Sequence, residues 1–486
     1  MKYLILESIA LKPHLETSGE IALELKSKGH DVFYSWIGDN LPWSDWKLPY
    51  YFKLFLCSLN NRVSTFKCFM KKEVSVLDGV ILTSDKKNKI IDWASNFSGD
   101  LDHLKSYLYE GKSLGMGVAS SLISMYGDSR YCAEKRIKEV RKALVSSALV
   151  YERAKIIISQ ISPDFVVTFN GRFATSRPIV IAAEGMGIRV LRHERGATFD
   201  KYQIYTDAVH NYEYIKNRII NHWFLSDTQT RELNGHTFFQ RKRQGDGIGW
   251  YSFTNKQKCG RIPLKPPNRR RFVYFSSSDD EYAAVTDVYT PGPWSNQLEA
   301  LKTLVRVCMK ASDIELVIRV HPHLAKKSKQ EQKLWIDLVG KNKKVHYIGP
   351  NEPVDSYGLL DSADVVVTYG STIGIEAAYW GKPSVLLGPC SYRDTSAVVC
   401  PKTESELMLF ALSNQLKLPA QDFCIQYGNY YLTHGIPFEY YEPKSLSDGV
   451  FLGNRFGWDP EFIYSLRNLR IFKKFWIWFR EFRFLR

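Results

Sequence analysis

The chain has 486 residues, 44% of them hydrophobic and 24% charged, which is too long for one ordinary core and too apolar for a disordered chain, so two domains of roughly 200 residues each are expected. Lys and Arg outnumber Asp and Glu by 66 − 51 = 15, which favours an anionic partner such as a nucleic acid, a nucleotide or an acidic membrane surface. No low-complexity tract or fixed-period repeat stands out, and the scattered cysteines, with no CxxC pair and no His at metal spacing, read as reduced thiols of a cytosolic protein.

The first residues, "MKYLILESIALKPHLE", have too short an apolar core for a signal peptide and flow into a domain strand. No run of about 18 uninterrupted apolar residues occurs, so no spanning helix is predicted. "KYLILESI" reads as a strand, "HLETSGEIALELKSKG" as a helix closed by Gly29, and "HDVFYSWIG" as a second strand, together a βαβ unit. Residues 40 to 110 mix aromatics and charge, and 130 to 160 form a long basic-faced helix. "PDFVVTFNG", "SRPIVIAAEGMG" and "IRVLRHERG" repeat the strand, helix, strand rhythm.

Residues 254 to 271, "TNKQKCGRIPLKPPNRRR", are rich in proline and charge and lack apolar periodicity, which marks a linker. From "RFVYFSSSDDEY" the rhythm restarts. The helix "SNQLEALKTLVRVCMKAS", the strand "IELVIRVHPH", a helix near 328 to 340, the strand "KVHYIG", the short helix "VDSYGLLDSA" and the stretch "VVVTYGSTIGIEAAYWGKPSVLLG" follow. Two α/β sheets joined by a linker imply a cleft between them.

In an open α/β sheet the ligand crevice lies beyond the carboxyl ends of the strands. Gly370, Ser371 and Thr372 stand at such an end, ahead of a helix, where backbone N–H groups, two hydroxyls and the helix dipole suit a phosphate. Glu376, one turn in, is placed to accept hydrogen bonds from ribose hydroxyls; the alternative is an ordinary Ser/Thr cap with a solvent-facing Glu. "IRVHPH" puts Arg319, His321 and His323 at a second strand end, and "FSSSDDEYAAV" puts Ser276, Ser277, Ser278, Asp279 and Asp280 at a third. The bland readings are loop chemistry and a serine-rich turn.

"ELVIRVHPH" followed by "YGLLDSADVVVTYGSTIGIEAAYWGKPSVLLG" resembles the C-terminal half of bacterial capsule-polysaccharide glycosyltransferases of GT-B fold, the nearest relatives being the Kdo transferases of capsule and lipopolysaccharide assembly. In the N-terminal half, "FNGRFATSRPIVIAAEGMGIRVLRHERG" is similar to that family's stretch where a strand carries the catalytic acid. The resemblance implies two Rossmann-like domains facing each other across a cleft. Residues 1–255 would bind the acceptor and 272–425 the nucleotide-sugar donor, with a linker at 256–271 and an extension at 426–466 packing back toward the first domain. By the same likeness the His of "HP" becomes His321, the phosphate-binding hydroxyl Ser371 or Thr372, and the ribose acid Glu376; Ser277, Ser278, Asp279, Arg319, His323 and Gly370 are expected beside them on the donor side, and His14, Glu16, Asn170 and Arg172 on the acceptor side. One departure matters: where these transferases show an acidic pair before Gly, this chain reads His193-Glu194-Arg195-Gly196, so either Glu194 does the work or the donor is not CMP-Kdo.

Glycosyl transfer passes through an oxocarbenium-like state while a phosphate leaves, so it needs positive charge at the phosphate and a carboxylate near the anomeric carbon. Glu194 is the expected base or nucleophile, with His193 and Arg195 tuning its charge; the alternative is a surface ion pair with Arg192 or Arg195. His14 and Glu16, in the first loop, are second candidates for the base, or plain helix-capping residues. No metal and no cofactor are expected, since GT-B enzymes use donors and helix dipoles and no Asp-x-Asp stands in a suitable place.

The last stretch, residues 467–486, "RNLRIFKKFWIWFREFRFLR", sets Arg470, Lys473, Lys474, Arg480 and Arg483 opposite Phe472, Phe475, Trp476, Phe479 and Phe482. That pattern describes an in-plane interfacial helix on an anionic membrane surface, holding a cytoplasmic protein at the inner face of the membrane near a lipid-linked acceptor. The alternatives are a helix packed back on the first domain and, with no recognised module elsewhere, nucleic-acid binding. The expected function is transfer of a sugar to a growing or lipid-linked bacterial surface polysaccharide. Competing readings are a CDP-glycerol-type glycerophosphotransferase, a sugar-nucleotide epimerase of the same fold, and a non-catalytic membrane-associated assembly factor.

Overall fold

The computed structural model describes residues 1–45, 57–247, 257–278, 284, 292–327, 329–339, 344–413, 418–446 and 448–456. The basic aromatic stretch 467–486 and Asp279 therefore lie outside the described residues. The first lobe contains β1 (Lys2–Glu7), β2 (Asp31–Trp36), β3 (Ser75–Leu77), β4 (Phe165–Phe169), β5 (Arg189–Arg195) and β6 (Lys201–Tyr205). The second contains β7 (Arg270–Phe275), β8 (Ile314–Arg319), β9 (Val345–Ile348), β10 (Val365–Thr368) and β11 (Ser384–Leu386). The chain then returns to the first lobe, adding β12 (Ile436–Pro437) and the hairpin of β13 (Tyr441–Ser445) and β14 (Asp448–Phe451).

Strand order is β12-β6-β5-β4-β1-β2-β3 in the first sheet and β11-β10-β7-β8-β9 in the second. All pairings among β1 to β5 and β7 to β11 are parallel, so both lobes are the Rossmann-like α/β layers that the alternating rhythm predicts. The departures are β6 and β12, which run antiparallel on the open side of β5. The runs "YLIL" and "FVVTF" are apolar on both faces because helices cover both sides of a parallel sheet, and their side chains are buried accordingly. The helix expected over 130–160 spans Ile137–Ile161, preceded by a 3-10 turn at Glu134–Arg136. Residues 257–269 hold no helix or strand, as their proline content requires.

The lobes meet through a shared core. Helix Arg231–Arg243 of the first part crosses helix Asp422–Thr433 of the second, with the helix Tyr212–Leu225 beside them. At the crossing, a Cβ on Gly235 would lie 2.5 Å from the Ile425 carbonyl oxygen, and one on Gly428 would collide with the carbonyl of Gly235. Only glycine at both positions allows this approach. Nearby, Phe239 stacks on Tyr379 with ring centroids 4.0 Å apart, and His236 Nδ1 is 2.7 Å from the Tyr379 hydroxyl.

The returning segment is fixed to the first lobe by charge. Glu20 accepts the backbone N–H groups of Glu439, Tyr440 and Tyr441 at 2.6, 2.8 and 2.9 Å. Arg62 makes a two-pronged pair with Glu16, Nη1–Oε1 2.6 Å and Nη2–Oε2 2.7 Å, and also donates to the carbonyls of Ala10 and Phe456. Both residues are at most 2% exposed. Arg62→Ala leaves the Glu16 carboxylate buried and uncompensated, and the expected loss is about 3–5 kcal/mol, read as a lower urea midpoint. A double variant, Arg62→Met with Glu16→Leu, recovers much of it; equal stability of Arg62→Ala and the parent contradicts the account.

His434, 5% exposed, stacks on Tyr430 at 4.0 Å and donates from Nδ1 to the Tyr430 carbonyl at 2.7 Å. Burial pushes its pKa down to about 3 against that hydrogen bond. The unfolded chain takes up this proton at about pH 6.5 and the folded chain refuses it, so stability falls as pH drops from about 6.5 toward about 3, by about 1.4 kcal/mol per unit for this one group. In urea titrations at pH 7 and pH 5, His434→Gln is expected to show a shallower loss than the parent, and an equal slope counts against it.

Candidate functional site

The carboxyl ends of β4 and β5 build the first-lobe side. Asn170, directly after β4, takes φ +56° and Gly171 takes +86°. Asn tolerates the left-handed region and Gly adopts it freely, and a Cβ on Gly171 would press to 2.9 Å from Val180 Cγ2. This Asn-Gly turn aims the Asn170 amide at Glu194, Nδ2 to Oε2 2.6 Å. The other oxygen of Glu194 receives the N–H of Arg195 at 3.2 Å and lies 4.0 Å from Nδ1 of His14. With its side chain 26% exposed, Glu194 is held yet accessible.

His14 opens the helix His14–Ser27 that follows β1. Its ring lies 3.8 Å from that of Phe169, and burial, followed by the charges of Arg195, His193 and Arg62, holds its pKa well below the ordinary histidine value. It is therefore neutral near pH 7. Arg192 pairs with Glu184 at 2.5 Å, and the Arg195 guanidinium donates to the Lys12 carbonyl at 3.4 Å. Arg172 lies over the Phe173 ring at 4.5 Å and donates to Ser124 Oγ at 3.3 Å.

Two expectations need correction on this side. His193 points into the protein: it is fully buried, with Nε2 2.7 Å from Glu7 Oε1, because successive residues of β5 face opposite sides of the sheet and Glu194 takes the open one. Glu16 is likewise no acceptor-side group, since both its oxygens are taken by Arg62 inside the core.

On the second lobe, the ends of β7 and β8 are tied together by the His321 N–H donating to Ser276 Oγ at 2.7 Å. Gln297, fully buried, grips Ser277 from both sides, accepting its N–H at 2.6 Å and donating to its carbonyl at 3.2 Å. Ser277 and Ser278 are each 8% exposed. Arg319 differs from expectation: only 4% exposed, it braces the end of β9 by donating to the Gly349 carbonyl at 2.6 Å. The side chain of His323 lies outside the described residues.

The end of β10 carries the third cluster. Gly370 has φ +150°, and the short helix Ile373–Tyr379 begins just after it. Thr372 is exposed and makes no cap; its hydroxyl donates to Glu376 Oε1 at 3.1 Å, while Tyr357 donates to Oε2 at 2.5 Å. Glu376 is thus 4% exposed rather than solvent-facing. The Ser371 carbonyl accepts the Tyr392 hydroxyl at 2.5 Å, an approach open because Gly374 has no Cβ; one there would sit 2.6 Å from Tyr392 Oη. In sheet order β7 lies between β8 and β10, so the Ser276–His321 and Ser371–Thr372–Glu376 groups occupy neighbouring strand ends.

Some of the arrangement leaves no mark in the sequence. Glu7, at the end of β1, is buried against His193, and burial raises its pKa against the pull of that histidine. Asp45 accepts the Thr175 N–H at 3.0 Å and the hydroxyls of Ser121 and Thr175, while Ser8 donates to the Thr175 carbonyl at 2.9 Å. These partners lie far apart in the chain, so no local spacing reveals them. A cavity of about 1130 Å³ opens between the lobes, edged by Tyr131 and Arg130 on one side and by Asn296, Gln297 and Tyr369 on the other. None of the residues singled out from the sequence lines it. Among the described residues, no group of three or more His, Cys, Asp or Glu is placed to hold a metal ion, and no helix is long and apolar enough to cross a membrane.

Comparison with known proteins places these strand ends in context. Residues 250–395 match the family model described as capsule polysaccharide biosynthesis protein. No curated protein matches. Among solved structures, the chain is similar to KpsC of Thermosulfurimonas dismutans: to its beta Kdo 2,4 transferase at 14% identity, over 55% of this chain and 78% of that one, with a TM-score of 0.37. To the beta Kdo 2,7 transferase of the same KpsC the figures are 14%, 66%, 89% and 0.36. It is also similar to the UDP-GlcNAc 2-epimerase of Methanocaldococcus jannaschii, at 14% identity over 88% of this chain and 97% of that one, with a TM-score of 0.30. The segment that carries the three strand ends of the second lobe is the one that matches the capsule polysaccharide biosynthesis family, in line with the resemblance of its motifs.

Proposed function

We propose that the protein is a glycosyltransferase that moves a sugar from a nucleotide-sugar donor to a growing or lipid-linked bacterial surface polysaccharide. The observation that carries this reading is Glu194: a partly exposed carboxylate at a strand end of the first lobe, oriented by Asn170 at 2.6 Å and faced by a neutral histidine at 4.0 Å. The family match over the second lobe supports the class of reaction.

In this reading Glu194 accepts the proton of the acceptor hydroxyl as that oxygen attacks the anomeric carbon. Asn170 fixes the carboxylate's direction, and His14, kept neutral by its surroundings, adds no opposing charge that would weaken Glu194 as a base. The leaving phosphate is taken by His321, by the Ser371 hydroxyl and by the backbone of Ser371 and Thr372 on the facing lobe. Glu376, braced by Tyr357 and Thr372, keeps lone pairs free for ribose hydroxyls, because an ionised carboxylate offers about four acceptor sites. No metal or cofactor has a part in the proposal.

Donor choice is tested by screening hydrolysis of CMP-, UDP-, GDP- and CDP-linked sugars. With the donor so found, Glu194→Gln is expected to lower kcat by about 10²- to 10⁴-fold while nucleotide affinity in calorimetry stays put. Retention of transfer within a few-fold removes Glu194 from the mechanism, and failure of any nucleotide to bind points instead to a non-catalytic assembly factor. The basic aromatic stretch 467–486 is proposed to hold the enzyme on anionic lipid; a chain ending at residue 466 should cease to float with phosphatidylglycerol vesicles, and unchanged flotation refutes that attachment.

A further inference from the structure

The turn that joins the helices Tyr212–Leu225 and Arg231–Arg243 has no part in the donor or base sites, yet it holds large apolar side chains in the open. Phe224 and Leu225, the last residues of the first helix, are 71% and 86% exposed, and Leu233, near the start of the second, is 66% exposed. A single exposed leucine is ordinary on a protein surface. Three large apolar side chains at one end of a helix pair mark a contact.

Their exposure is built into the turn. Ser226 Oγ donates to the His222 carbonyl at 2.7 Å and accepts from Asn429 Nδ2 at 2.9 Å. Asp227 accepts the Gln229 N–H at 3.2 Å and the Thr230 hydroxyl at 2.9 Å, and His222 Nε2 lies 2.8 Å from Thr433 Oγ1. Polar groups thus hold the turn against the helix Asp422–Thr433, and none of the three apolar side chains is needed to close it.

The size and order of the patch decide what covers it. Phe224, Leu225 and Leu233 together expose on the order of 300–400 Å² of apolar surface, well below the roughly 800 Å² per partner that a stable protein pair buries. A lipid surface sets no such minimum, because each apolar side chain that enters the boundary between headgroups and acyl chains adds its own share. One residue inward, Trp223 carries the Arg231 guanidinium 4.4 Å over its ring, and Arg231 Nη1 donates to the Trp223 carbonyl at 3.1 Å. An apolar tip followed by tryptophan and a base is the order in which side chains meet a bilayer from the acyl side outward. The charges of residues 221–233, Asp227 and Glu232 against Arg231, bring no attraction to anionic lipid, so the contact is apolar in origin.

From these observations we infer that residues 224–233 form a membrane-insertion point whose partner is the headgroup–acyl boundary of a lipid bilayer, entered irrespective of lipid charge. It stands whether or not the chain transfers a sugar. It is also separate from the attachment proposed for the basic stretch 467–486, which depends on anionic lipid and weakens in salt.

The test uses the full chain and phosphatidylcholine vesicles in about 0.5 M NaCl, where surface charge is screened. Hydrogen exchange followed by mass spectrometry should show residues 221–233 slowed when vesicles are added. A double variant, Phe224→Ser with Leu225→Ser, should lower the vesicle-bound fraction in flotation by about tenfold or more, since two large apolar groups no longer leave water. Both positions are on the surface, so its melting temperature should match the parent's. Flotation unchanged in the double variant, or exchange at 221–233 unaltered by vesicles, overturns the inference. So does a parent that is dimeric in sedimentation and a variant that is not, which makes the patch an interface between copies. Faster exchange at 221–233 in a lipid-free chain ending at residue 466 also overturns it, because the chain's own end then covers the patch. The two attachments fail separately: equal flotation of the double variant in phosphatidylcholine removes the turn alone, and equal flotation of the chain ending at 466 with phosphatidylglycerol at low salt removes the stretch 467–486 alone.

Discussion

The crossing of helices Arg231–Arg243 and Asp422–Thr433 at Gly235 and Gly428 is the constraint on which the relation between the lobes depends. Two helices meeting backbone to backbone have little freedom to slide, and the aromatic stack of Phe239 on Tyr379 ties that joint to the helix that follows Ser371 and Thr372. The strand ends of the second lobe therefore sit at a distance from Glu194 set by glycine, not by a flexible hinge at this point. Proline-rich residues 257–269 carry the chain across, and the helix pair bears the packing.

The first lobe uses charge in two opposite ways. Arg62–Glu16 is buried and fully paired, so its worth lies in holding separate segments together more than in net stability. Glu194, next to a fully buried histidine on the same strand, keeps a quarter of its side-chain surface open and takes neutral or backbone donors on both oxygens. Both oxygens of Glu16 are taken up by Arg62 inside the core, whereas Glu194 is oriented by an amide and remains open to solvent. The difference between Glu16 and Glu194 is thus one of partner.

How much of this could be read in advance follows from what is local in the chain. Strands such as "YLIL" and "ELVIR" announce themselves by apolar runs between turns, and the Asn-Gly after β4 and the Gly-Ser-Thr after β10 are legible as strand ends because their residue types have few other uses. Which face a residue occupies is not legible where both faces of a sheet are covered: His193 and Glu194 are adjacent, and alternation puts one inside and the other at the cleft. Long-range pairing was hidden for a different reason. Arg62 with Glu16, Asp45 with Thr175 and Gly235 with Gly428 are brought together only by the finished fold, and residues 40–110, where two of these begin, have no period to betray their helices. The antiparallel direction of β6 and β12 escaped for the same reason, since strand direction is settled by neighbours from elsewhere in the chain.

The return of residues 436–456 bears on how the protein is made. Glu20 and Arg62 precede by 394 to 421 residues the backbone groups that satisfy them, the N–H groups of 439–441 and the carbonyl of Phe456, which are therefore translated much later. On the ribosome, where earlier domains ordinarily fold as they emerge, this lobe must wait for the other to be synthesised before its own edge is closed. During that interval an acid and a guanidinium meant for the interior stay in water, which gives nascent chains a reason to linger with chaperones and gives a prematurely terminated one no route to a finished first half.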